Sequence, residues 1–399
     1  MQNFILKLEV KFLKIAVIGH GVVGSGVSEI LINTKELLSK RAGQEVEVKY
    51  ILDIRDFDSL PYSDKFVKDF TVIENDQEID VVVEAMGGLN PAYDFVKRSL
   101  LRGKNVVTSN KELVAEKGVE LLSIADVKGV KFLFEASVGG GIPIIKPLMT
   151  SLNSNSISEI AGILNGTTNF ILTKMYDEDM SFDDALKLAQ KLGYAERDPS
   201  ADVDGFDACR KISILAAMAF GVRIAPDKIP TVGIRDLTLD DVRHAEELGY
   251  RIKLIGRAKK IDGEIEIAVS PALVSISSPL AGISDVFNGV FVRGDFVGDT
   301  MFYGRGAGKF PTASAVVSDV LDCAVPPSTS LLWDDAKDSD IKKGVSKMKY
   351  YVCAKNLPSD LKLRSNVNDN GVIYAVTDYL SKEDVDKLDV ISKLPILEY

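Results

Sequence analysis

The sequence has 399 residues, which is enough for two or three domains with large cores. Its 48 Lys and Arg residues are outnumbered by 58 Asp and Glu residues, and no basic block stands out, which argues against nucleic acid as a partner. The three cysteines lie far apart along the chain, so we expect neither a disulfide nor a structural zinc site.

Neither a membrane span nor a secretion signal is predicted. The longest apolar stretch, residues 212–222, is far shorter than the roughly 20 residues that cross a bilayer, and it is typical of a buried helix. Residues 1–14 mix apolar and charged side chains and lack the continuous apolar core of a signal peptide. We therefore expect a cytoplasmic protein.

The first 140 or so residues alternate between predicted strands and helices. Such alternation is typical of a parallel sheet with right-handed crossovers. The predicted strands are 13–18, 46–54, 81–84, 105–108 and 131–138, and the clearest helices are 91–101 and one that follows the first strand and ends near Gly43.

A glycine-rich turn joins the first strand to the first helix. Gly19, Gly21 and Gly24 have the GxGxxG spacing that permits a sharp turn, close approach of a pyrophosphate, and packing of helix on strand. The helix start, with Val22 and Val23, would offer its free N–H groups to phosphate. A lone motif of this kind is weak, but its place between a strand and a helix favours dinucleotide binding over an ordinary glycine turn.

The second strand ends in both side-chain types that select between NAD and NADP. The Asp53 carboxylate would accept ribose hydroxyls, whereas the Arg55 guanidinium would bind a 2′-phosphate. We favour NADP through Arg55 with tolerance of NAD. Arg55 as an ordinary solvated charge is the alternative.

The turns after the third and fourth strands lie where ligands bind in open parallel sheets, beyond the carboxyl ends of strands. We expect Gly87 in the first turn, and Ser109, Asn110 and Lys111 in the second, to border the nicotinamide. For Lys111, a solvated loop lysine is an equally weighted alternative.

Residues 135–143 form another glycine-rich segment. Three successive glycines after Glu135 would free carbonyl groups to face a hard cation, and a buried Glu135 would balance its charge. From spacing alone, however, a flexible interdomain turn is the favoured interpretation.

Beyond residue 150 the pattern changes. Residues 157–164 are a predicted strand, two acid-rich helical stretches follow, and 251–274 are a strand pair joined at Asp262 and Gly263, a dipeptide suited to a type I′ turn. A second glycine-rich turn at 304–308 precedes a helix at 312–321.

One lysine is a candidate for proton transfer. Asp207 and Lys211 stand four residues apart on a predicted helix, just before the apolar run, and carboxylates crowd that helix start. A surface ion pair is the alternative. Histidine is the usual partner in hydride transfer, but His20 lies in the glycine turn and His244 in an acidic helix that looks exposed. Lys211 is therefore the better candidate.

From Leu13 to about Asp322 the chain resembles homoserine dehydrogenases. Several motifs match in order and spacing, and together they are far more specific than any one alone. They are residues 19–27, 108–111, 135–147, 162–169, 192–196 with Asp198 and Pro199, 207–211, and 304–319.

The resemblance implies an NAD(P)-dependent enzyme that interconverts L-homoserine and L-aspartate 4-semialdehyde in threonine, methionine and isoleucine biosynthesis. Lys211 would be the general acid/base, with Lys111 assisting beside the nicotinamide. Glu196 and Asp207 would hold the substrate, and Gly166, Thr168 and Tyr194 would shape its pocket.

The resemblance also implies contacts for the cofactor and for a monovalent cation, usually sodium. Gly193 and Gly306 would approach the cofactor. The cation would be held by Glu135 and by the carbonyls of Val138, Gly140 and Ile142. A homodimer is expected.

The expected architecture is an α/β fold: a Rossmann-type parallel-sheet domain, an α+β substrate-binding and dimerisation domain, and a short C-terminal appendage. The expected bounds are 1–150 completed by 304–325, then 151–303, then 326–399. Relatives that sense amino acids end in an ACT domain, but residues 356–360 replace the expected glycine turn and helix, so feedback through the appendage is doubtful. We expect a degenerate, ACT-like element that serves packing or dimer contact. The first dozen residues precede the family's usual first strand, as an extra strand or an over-extended start.

Two alternatives stay open. A related enzyme acting on another small amino acid would keep the cofactor turn but would not require the 165–169 motif beside Glu196 and Asp207. A silent cofactor-binding or amino-acid-sensing protein would keep the fold with its lysines lost, whereas Lys111 and Lys211 are both present.

Overall fold

The structure is a computed structural model that describes residues 11–327 and 330–399. The described chain divides into two compact units. The first contains residues up to 143 together with 307–333, and the second contains 144–306 together with 334–399. The possible strand in the first dozen residues falls largely outside the described part.

The first unit is built on a six-stranded parallel sheet in the order β3-β2-β1-β4-β5-β6. The order reverses between β1 and β4, and ligands bind at such a switch point in doubly wound folds. The Rossmann-type prediction is confirmed. The strands are Phe12–Ile18 (β1), Glu45–Leu52 (β2), Phe66–Val67 (β3), Val81–Glu84 (β4), Asn105–Thr108 (β5) and Phe132–Leu133 (β6).

The first helix differs from its prediction because it is two helices that meet at Thr34. The Thr34 hydroxyl donates to the Ile30 carbonyl, a local bond that competes with regular helix continuation. Gly43, with φ of 69°, ends the second helix as expected. The helices of this stretch are Val22–Asn33 (α1), Lys35–Ala42 (α2), Phe70–Asn75 (α3), Ala92–Leu101 (α4) and Lys111–Lys128 (α5).

The strand predicted at 131–138 is mostly wrong. Only β6 pairs, and it meets β5 over just two residues at the end of the sheet order. The chain then tightens into a 3-10 turn at Glu135–Ser137, in which the Ser137 N–H donates to the Phe134 carbonyl. The predicted cation segment therefore begins in a turn.

The second unit carries a mixed sheet with helices packed against it. The hairpin prediction is confirmed, since Asp262 and Gly263 both have positive φ, 52° and 91°, between two twelve-residue strands. The helices before this hairpin are Ile145–Met149 (α6), Gly166–Asp177 (α7), Phe182–Lys191 (α8), Ser200–Val203 (α9), Phe206–Phe220 (α10) and Leu239–Glu247 (α11). The strands are Ile157–Ile163 (β7), Val222–Arg223 (β8), Tyr250–Ile261 (β9), Glu264–Ser275 (β10), Phe287–Gly294 (β11) and Gly298–Arg305 (β12).

After β12 the chain returns to the first unit through helix α12, Lys309–Asp322. Lys309 of α12 forms an ion pair with Glu29 of α1, with 2.6 Å between Nζ and Oε1. Gly26 of α1 allows close packing, because an added Cβ would lie 3.1 Å from the Ala313 Cβ. Helix α12 thus supports the helix that follows the glycine turn.

The tail extends the sheet of the second unit, whose order is β12-β11-β7-β9-β10-β17-β14-β16-β15. Each neighbouring pair among the last four strands is antiparallel, and β17 joins β10 in parallel at Leu273 and Val274. Their order and connections are those of a ferredoxin-like unit in which an irregular segment, residues 355–362, stands in place of the first helix. The elements are Asp334–Asp335 (β13), Tyr350–Ala354 (β14), Leu363–Asp369 (β15), Val372–Thr377 (β16), Lys382–Asp386 (α13) and Ser392–Leu397 (β17).

The tail also corrects the expectation for His244. Its side chain is buried, and its ring stacks on Tyr374 of β16 with centroids 3.7 Å apart. The acidic neighbours of His244 on α11 suggested exposure because the sequence gives no sign that β16 covers this helix.

Two further findings concern the chain as described. Cys209, Cys323 and Cys353 are buried free thiols. Within the described ranges, every helix is too short or too polar to serve as a membrane span.

Candidate active site

The glycine turn of the first unit is shaped for close approach of a ligand. Gly19 has φ of 92°, and a Cβ on Gly24 would lie 1.9 Å from the Gly19 carbonyl oxygen, so only glycine fits there. Helix α1 begins after Gly21 without a side-chain cap, and a Cβ on Gly21 would meet nothing within 4 Å. Val22, 68% exposed, starts the helix. The first-turn N–H groups are thus positioned to bind a phosphate.

Asp53 and Arg55 are bound to each other at the end of β2. The Arg55 Nη2 and Nε atoms donate to the Asp53 carboxylate at 2.9 Å, and the backbone N–H groups of His20 and Arg55 also donate to it. Hydrogen bonding and the charge of Arg55 hold the pKa of Asp53 well below its usual range. The Asp53 acceptors are therefore engaged, while the Arg55 side chain remains 59% exposed.

His20 packs against aromatic rings. Its ring makes edge contacts with Phe57, Tyr62 and Phe66, at centroid distances of 4.8, 5.9 and 5.0 Å. Burial lowers the pKa of His20, so the imidazole is neutral at pH 7. His20 is better suited to packing than to proton donation, which agrees with the choice of lysine.

Glu84 is a residue that the sequence interpretation missed. It is fully buried at the end of β4, and it accepts hydrogen bonds from the Met86 and Gly87 N–H groups and from the Thr108 hydroxyl. Burial raises the pKa of its carboxyl group, while these donors favour the anion. An acidic residue closing an otherwise all-valine strand was the available signal. Glu84 joins the turns that follow β4 and β5.

Asn110 makes the second link between those two turns. Its Nδ2 donates to the Gly88 carbonyl at 2.6 Å, and its Oδ1 caps helix α5 by accepting from the Leu113 N–H. Lys111 is the first residue of α5, directly after this cap, and Ser109 precedes it. The structure thus brings Gly87, Ser109, Asn110 and Lys111 to one edge of the sheet.

The predicted cation ligands lie on one tight turn. The side chains of Glu135, Val138 and Ile142 are buried, Gly140 has φ of 54°, and the Ile142 N–H donates to the Gly139 carbonyl, which is not one of the predicted ligands. Among the described residues there is no cluster of three His, Cys, Asp or Glu side chains that could hold a metal. One carboxylate with several carbonyls is compatible with a singly charged hard cation.

In the second unit, Asp207 and Lys211 form a buried ion pair. The Lys211 Nζ lies 2.7 Å from the Asp207 Oδ2 and donates to the Leu164 carbonyl at 2.7 Å. Asp207 is 4% exposed and Lys211 is 8% exposed. The alternative of a surface ion pair is therefore wrong, because the apolar face of α10 carries both residues into the interior. Removing one partner would take from the other the opposite charge that lies 2.7 Å away in the interior.

Asn165 organises the surroundings of this pair. Its Nδ2 donates to Asp207 at 2.9 Å and to Asp202 at 2.6 Å, while its Oδ1 caps helix α7 through the Thr168 N–H. The Thr168 hydroxyl also lies 3.0 Å from the Asn165 Oδ1. The sequence interpretation treated Asn165 only as part of a motif, although an Asn before a helix is a common cap. Its further role, as a hub that links the start of α7 to both carboxylates, depends on Asp202 and Asp207, which are distant in the sequence.

The turn at 192–197 is fastened to the start of α7. The Thr167 hydroxyl donates to the Tyr194 carbonyl at 2.7 Å, and the Tyr194 ring contacts Phe170 at a centroid distance of 5.0 Å. Gly193 has φ of 77°, and Glu196 is exposed on this turn. Gly166, the first residue of α7, must be small because a Cβ there would lie 2.8 Å from the Val286 carbonyl oxygen.

Each unit thus gathers its own share of the predicted residues. The first contains the glycine turn, Arg55, the two strand-end turns and the predicted cation segment. The second contains the Asp207–Lys211 pair, Gly166, Thr168 and the turn with Glu196, and also Gly306 after β12.

Comparison with protein families decides which family this chain belongs to. A family model for the NAD binding domain of homoserine dehydrogenase matches residues 19–135, and the homoserine dehydrogenase model matches residues 143–321. The chain belongs to the homoserine dehydrogenase family. It is an NAD(P)-dependent oxidoreductase that interconverts L-homoserine and L-aspartate 4-semialdehyde.

Individual homoserine dehydrogenases agree with this assignment. The chain is 46% identical to the enzyme from Synechocystis sp. over 317 residues, which are 78% of this chain and 73% of that one. It is 39% identical to the Helicobacter pylori homoserine dehydrogenase over 385 residues, which are 96% and 89% of the two chains. The second match includes the tail.

Solved structures extend the likeness to three dimensions. A homoserine dehydrogenase from Thiobacillus denitrificans superposes with a TM-score of 0.87 at 36% identity, covering 98% of this chain and 99% of that chain. A hyperthermophilic archaeal homoserine dehydrogenase in complex with NADPH gives a TM-score of 0.67 at 28% identity, covering 78% and 98%.

Proposed function

We propose that Lys211 is the general acid/base of homoserine oxidation. The observation that carries this proposal is the buried ion pair with Asp207, which holds the Lys211 ammonium beside the start of α7. In the reducing direction the ammonium would donate its proton to the developing alkoxide, and in the oxidising direction the neutral amine would accept the hydroxyl proton. Asp207 and the Leu164 carbonyl orient Nζ for this task.

The bound dinucleotide supplies the hydride chemistry at its nicotinamide ring. The cradle between Gly19 and Gly24, which a Cβ would fill, supports dinucleotide binding at this turn. Gly21, Val22 and Val23 would bind the pyrophosphate. Gly87, Ser109, Asn110, Gly193 and Gly306 would border the cofactor, and Lys111 would assist beside the nicotinamide.

The substrate would be held mainly by carboxylates. Glu196 and Asp207 would pair with the ammonium group of homoserine, and Gly166 and Tyr194 would shape the pocket. Thr168 is fully buried and bonded to Asn165, so its contribution would be to fix the hub from which Asp207 is oriented.

We further propose NADP as the preferred cofactor, through the exposed Arg55 guanidinium. The segment with Glu135, Val138, Gly140 and Ile142 would hold a monovalent cation, most simply sodium. The proposal also includes a homodimer, a cytoplasmic location, and a role in threonine, methionine and isoleucine biosynthesis.

The test is the change in nicotinamide absorbance when purified protein is incubated with L-homoserine and NADP or NAD at alkaline pH. L-serine and L-threonine serve as controls for an enzyme of the same build with another substrate. The substitution Lys211→Met should lower kcat by at least about a hundredfold, as for loss of a general acid/base, and leave cofactor binding intact.

Lys174→Met is the matched control. Lys174 forms an i,i+4 pair with Glu178, as Lys211 does with Asp207, but on the surface. Its loss should change kcat by less than about twofold, since surface pairs contribute little. Unchanged turnover in Lys211→Met would remove Lys211 from the mechanism, and reduction of NADP with serine rather than homoserine would replace the substrate.

A further inference from the structure

Asn288 is a buried polar residue that the proposed mechanism does not use. It lies on β11, where its backbone pairs with Gly304 of β12, and it is 1% exposed. Within the described chain, neither Oδ1 nor Nδ2 of its side-chain amide has a hydrogen-bond partner. A buried amide with both ends unsatisfied is costly, and native proteins rarely keep one without a ligand or a function.

The Asn288 amide lies between two glycines of the predicted site. A Cβ added to Gly306 would be 2.2 Å from its Nδ2, so the amide occupies the space of a side chain at that position. A Cβ added to Gly166 would be 3.5 Å from its Oδ1. The amide therefore borders Gly166, the first residue of α7. Gly166 directly follows Asn165, whose side chain donates to Asp207.

The backbone around Asn288 is held rigidly. Asn169 of α7 donates from Nδ2 to the carbonyls of Ile283, Asp285 and Phe287, at 3.2, 3.0 and 3.1 Å. The segment just before Asn288 is thus hydrogen-bonded to α7, and the Asn288 side chain faces the start of the same helix. Preorganisation of this kind is typical of a binding residue.

We propose that Asn288 binds the α-amino-acid head group of the substrate at the start of α7. This proposal rests on homoserine being the substrate. A zwitterionic head group presents an anionic acceptor next to a cationic donor, and one amide satisfies both: Nδ2 donates to the carboxylate and Oδ1 accepts from the ammonium. The twelve-residue helix α7 begins at this point, and a helix N-terminus favours a carboxylate. Asn288 is then a specificity-determining residue.

The test compares Asn288→Asp, Asn288→Ser and Asn288→Ala with the unchanged enzyme. Asn288→Ser adds no charge at this buried position, so it guards against a simple failure to fold, whereas Asn288→Asp keeps the shape of the side chain. Asn288→Asp removes the donor and places a negative charge against the substrate carboxylate. We expect the KM for L-homoserine to rise about tenfold to a hundredfold, as for loss of a hydrogen bond to a charged group, with the KM for NADP changed by less than about twofold. Asn368→Asp, on an exposed position of β15, controls for the added charge.

A pair of inhibitors separates head-group binding from a structural role. L-2-aminobutyrate keeps the head group and lacks the hydroxyl, whereas 1-aminopropane lacks the carboxylate as well. Asn288→Asp should weaken inhibition by L-2-aminobutyrate by a similar tenfold or more and leave that by 1-aminopropane within about twofold.

Three results with Asn288→Asp would overturn the proposal: equal weakening of both inhibitors, a KM for NADP that rises in parallel with that for homoserine, or no effect at all. Failure of L-2-aminobutyrate to inhibit the unchanged enzyme would overturn it as well. Absence of homoserine turnover in the unchanged enzyme would be a separate failure, that of the proposed function, and it is seen before any Asn288 variant is made.

Discussion

Lys253 shows how a single buried charge would affect the stability of this fold. Its side chain is 2% exposed on β9, and its ammonium donates to Asn169 and to the Ile283 carbonyl. Burial lowers the pKa of Lys253 to about 7. In the unfolded chain, a lysine keeps its proton up to about pH 10.4.

The sign of the pH dependence follows from these two values. Between about pH 7 and pH 10.4 the unfolded state binds more protons than the folded state, so the contribution of Lys253 to stability rises with pH. Lys253→Met removes this contribution. The unfolding free energy of the variant, relative to the unchanged protein, should therefore fall from pH 7.5 to pH 9.5, with a slope approaching about 1.4 kcal/mol per pH unit.

Urea unfolding at several pH values measures this slope. Lys259→Met, on the same strand with a side chain 36% exposed, controls for the loss of one positive charge. Parallel pH profiles of Lys253→Met and the unchanged protein would contradict the assignment of a depressed pKa to Lys253.

Arg55 offers a residue-scale test of cofactor preference. Arg55→Ala should raise the KM for NADP about tenfold or more, because it removes the proposed charged hydrogen bond to the 2′-phosphate. The KM for NAD should stay the same or fall, since the Asp53 carboxylate, now bound by Arg55, becomes available to ribose hydroxyls. Steady-state kinetics with both cofactors measure the change, with Arg41→Ala on exposed α2 as control. Equal losses with both cofactors would count against a 2′-phosphate contact.

At the scale of single residues, the sequence predicted those roles that depend on residues nearby in the sequence. The spacing of Asp207 and Lys211, with the apolar run that follows, was sufficient to predict a shared helix face at a buried site. Glu84, Asn165 and Asn288 were missed as separate contributors because each acquires its role from groups on other elements: Thr108 for Glu84, Asp202 and Asp207 for Asn165, and two glycines for Asn288.

Among the elements, the turns after β4 and β5 depend on one carboxylate. Glu84→Ala would leave the Met86 and Gly87 N–H groups and the Thr108 hydroxyl without their acceptor. We expect a loss of about 3 kcal/mol or more of unfolding free energy, since each of the three unsatisfied groups costs about 1 to 3 kcal/mol. The KM for NADP should rise at least about tenfold, because these turns, which we propose to border the cofactor, would separate.

Glu84→Gln is the matched variant for this prediction. Its amide oxygen still accepts from the two N–H groups, so both effects should be smaller than those of Glu84→Ala. Urea unfolding and cofactor kinetics report the two effects. A stable Glu84→Ala protein with unchanged KM for NADP would show that the turns are held by other contacts, such as that of Asn110 with Gly88.

The glycine segment at 135–142 leads to a prediction about salts. If Glu135 and the carbonyls of Val138, Gly140 and Ile142 hold sodium, turnover should be several times higher in sodium chloride than in lithium chloride or a tetramethylammonium salt, because carbonyl cages discriminate by ion size and field strength. Glu135→Gln should abolish the difference. Kinetics at constant ionic strength measure it, and equal rates in all salts would remove the cation from the proposal.

The element boundaries show where local patterns are insufficient. The hairpin at Asp262 and Gly263 was predictable because positive φ is a property of those two residues. The shortness of β6 was not, since residues 131–138 are apolar enough for a strand, and the turn at Glu135–Ser137 is bonded to α12 through Asp319, which accepts from the Glu135 N–H. A contact spanning 184 residues is not visible in a local pattern.

For the whole molecule, the order of strands in the second unit was the least predictable feature. Residues 326–399 were expected as an appendage, and strands β14 to β17 within them instead continue the sheet that begins with β12. No local signal specifies that β17 pairs with β10, because strand pairing over more than a hundred residues is decided by packing. The irregular segment in place of the first helix of the ferredoxin-like unit, by contrast, follows from Pro358 and its polar neighbours.

The join between the tail and the rest of the sheet in the second unit leads to a final prediction. Ile396 on β17 is 4% exposed and pairs with Leu273 of β10, whereas Ile391, just before the same strand, is 63% exposed. Ile396→Ala should lower the unfolding free energy by about 2 to 4 kcal/mol, as for a truncated core residue. Ile391→Ala should change it by less than about 0.5 kcal/mol.

Thermal inactivation of homoserine oxidation connects this packing to function. Because β10 pairs with β9, and β9 contacts α10, which carries Lys211, Ile396→Ala should inactivate at a clearly lower temperature than Ile391→Ala, with an unchanged KM for homoserine before heating. If both variants and the unchanged enzyme lose activity at the same temperature, the tail packs on the sheet without stabilising it. The tail would then have a role other than support of the active site.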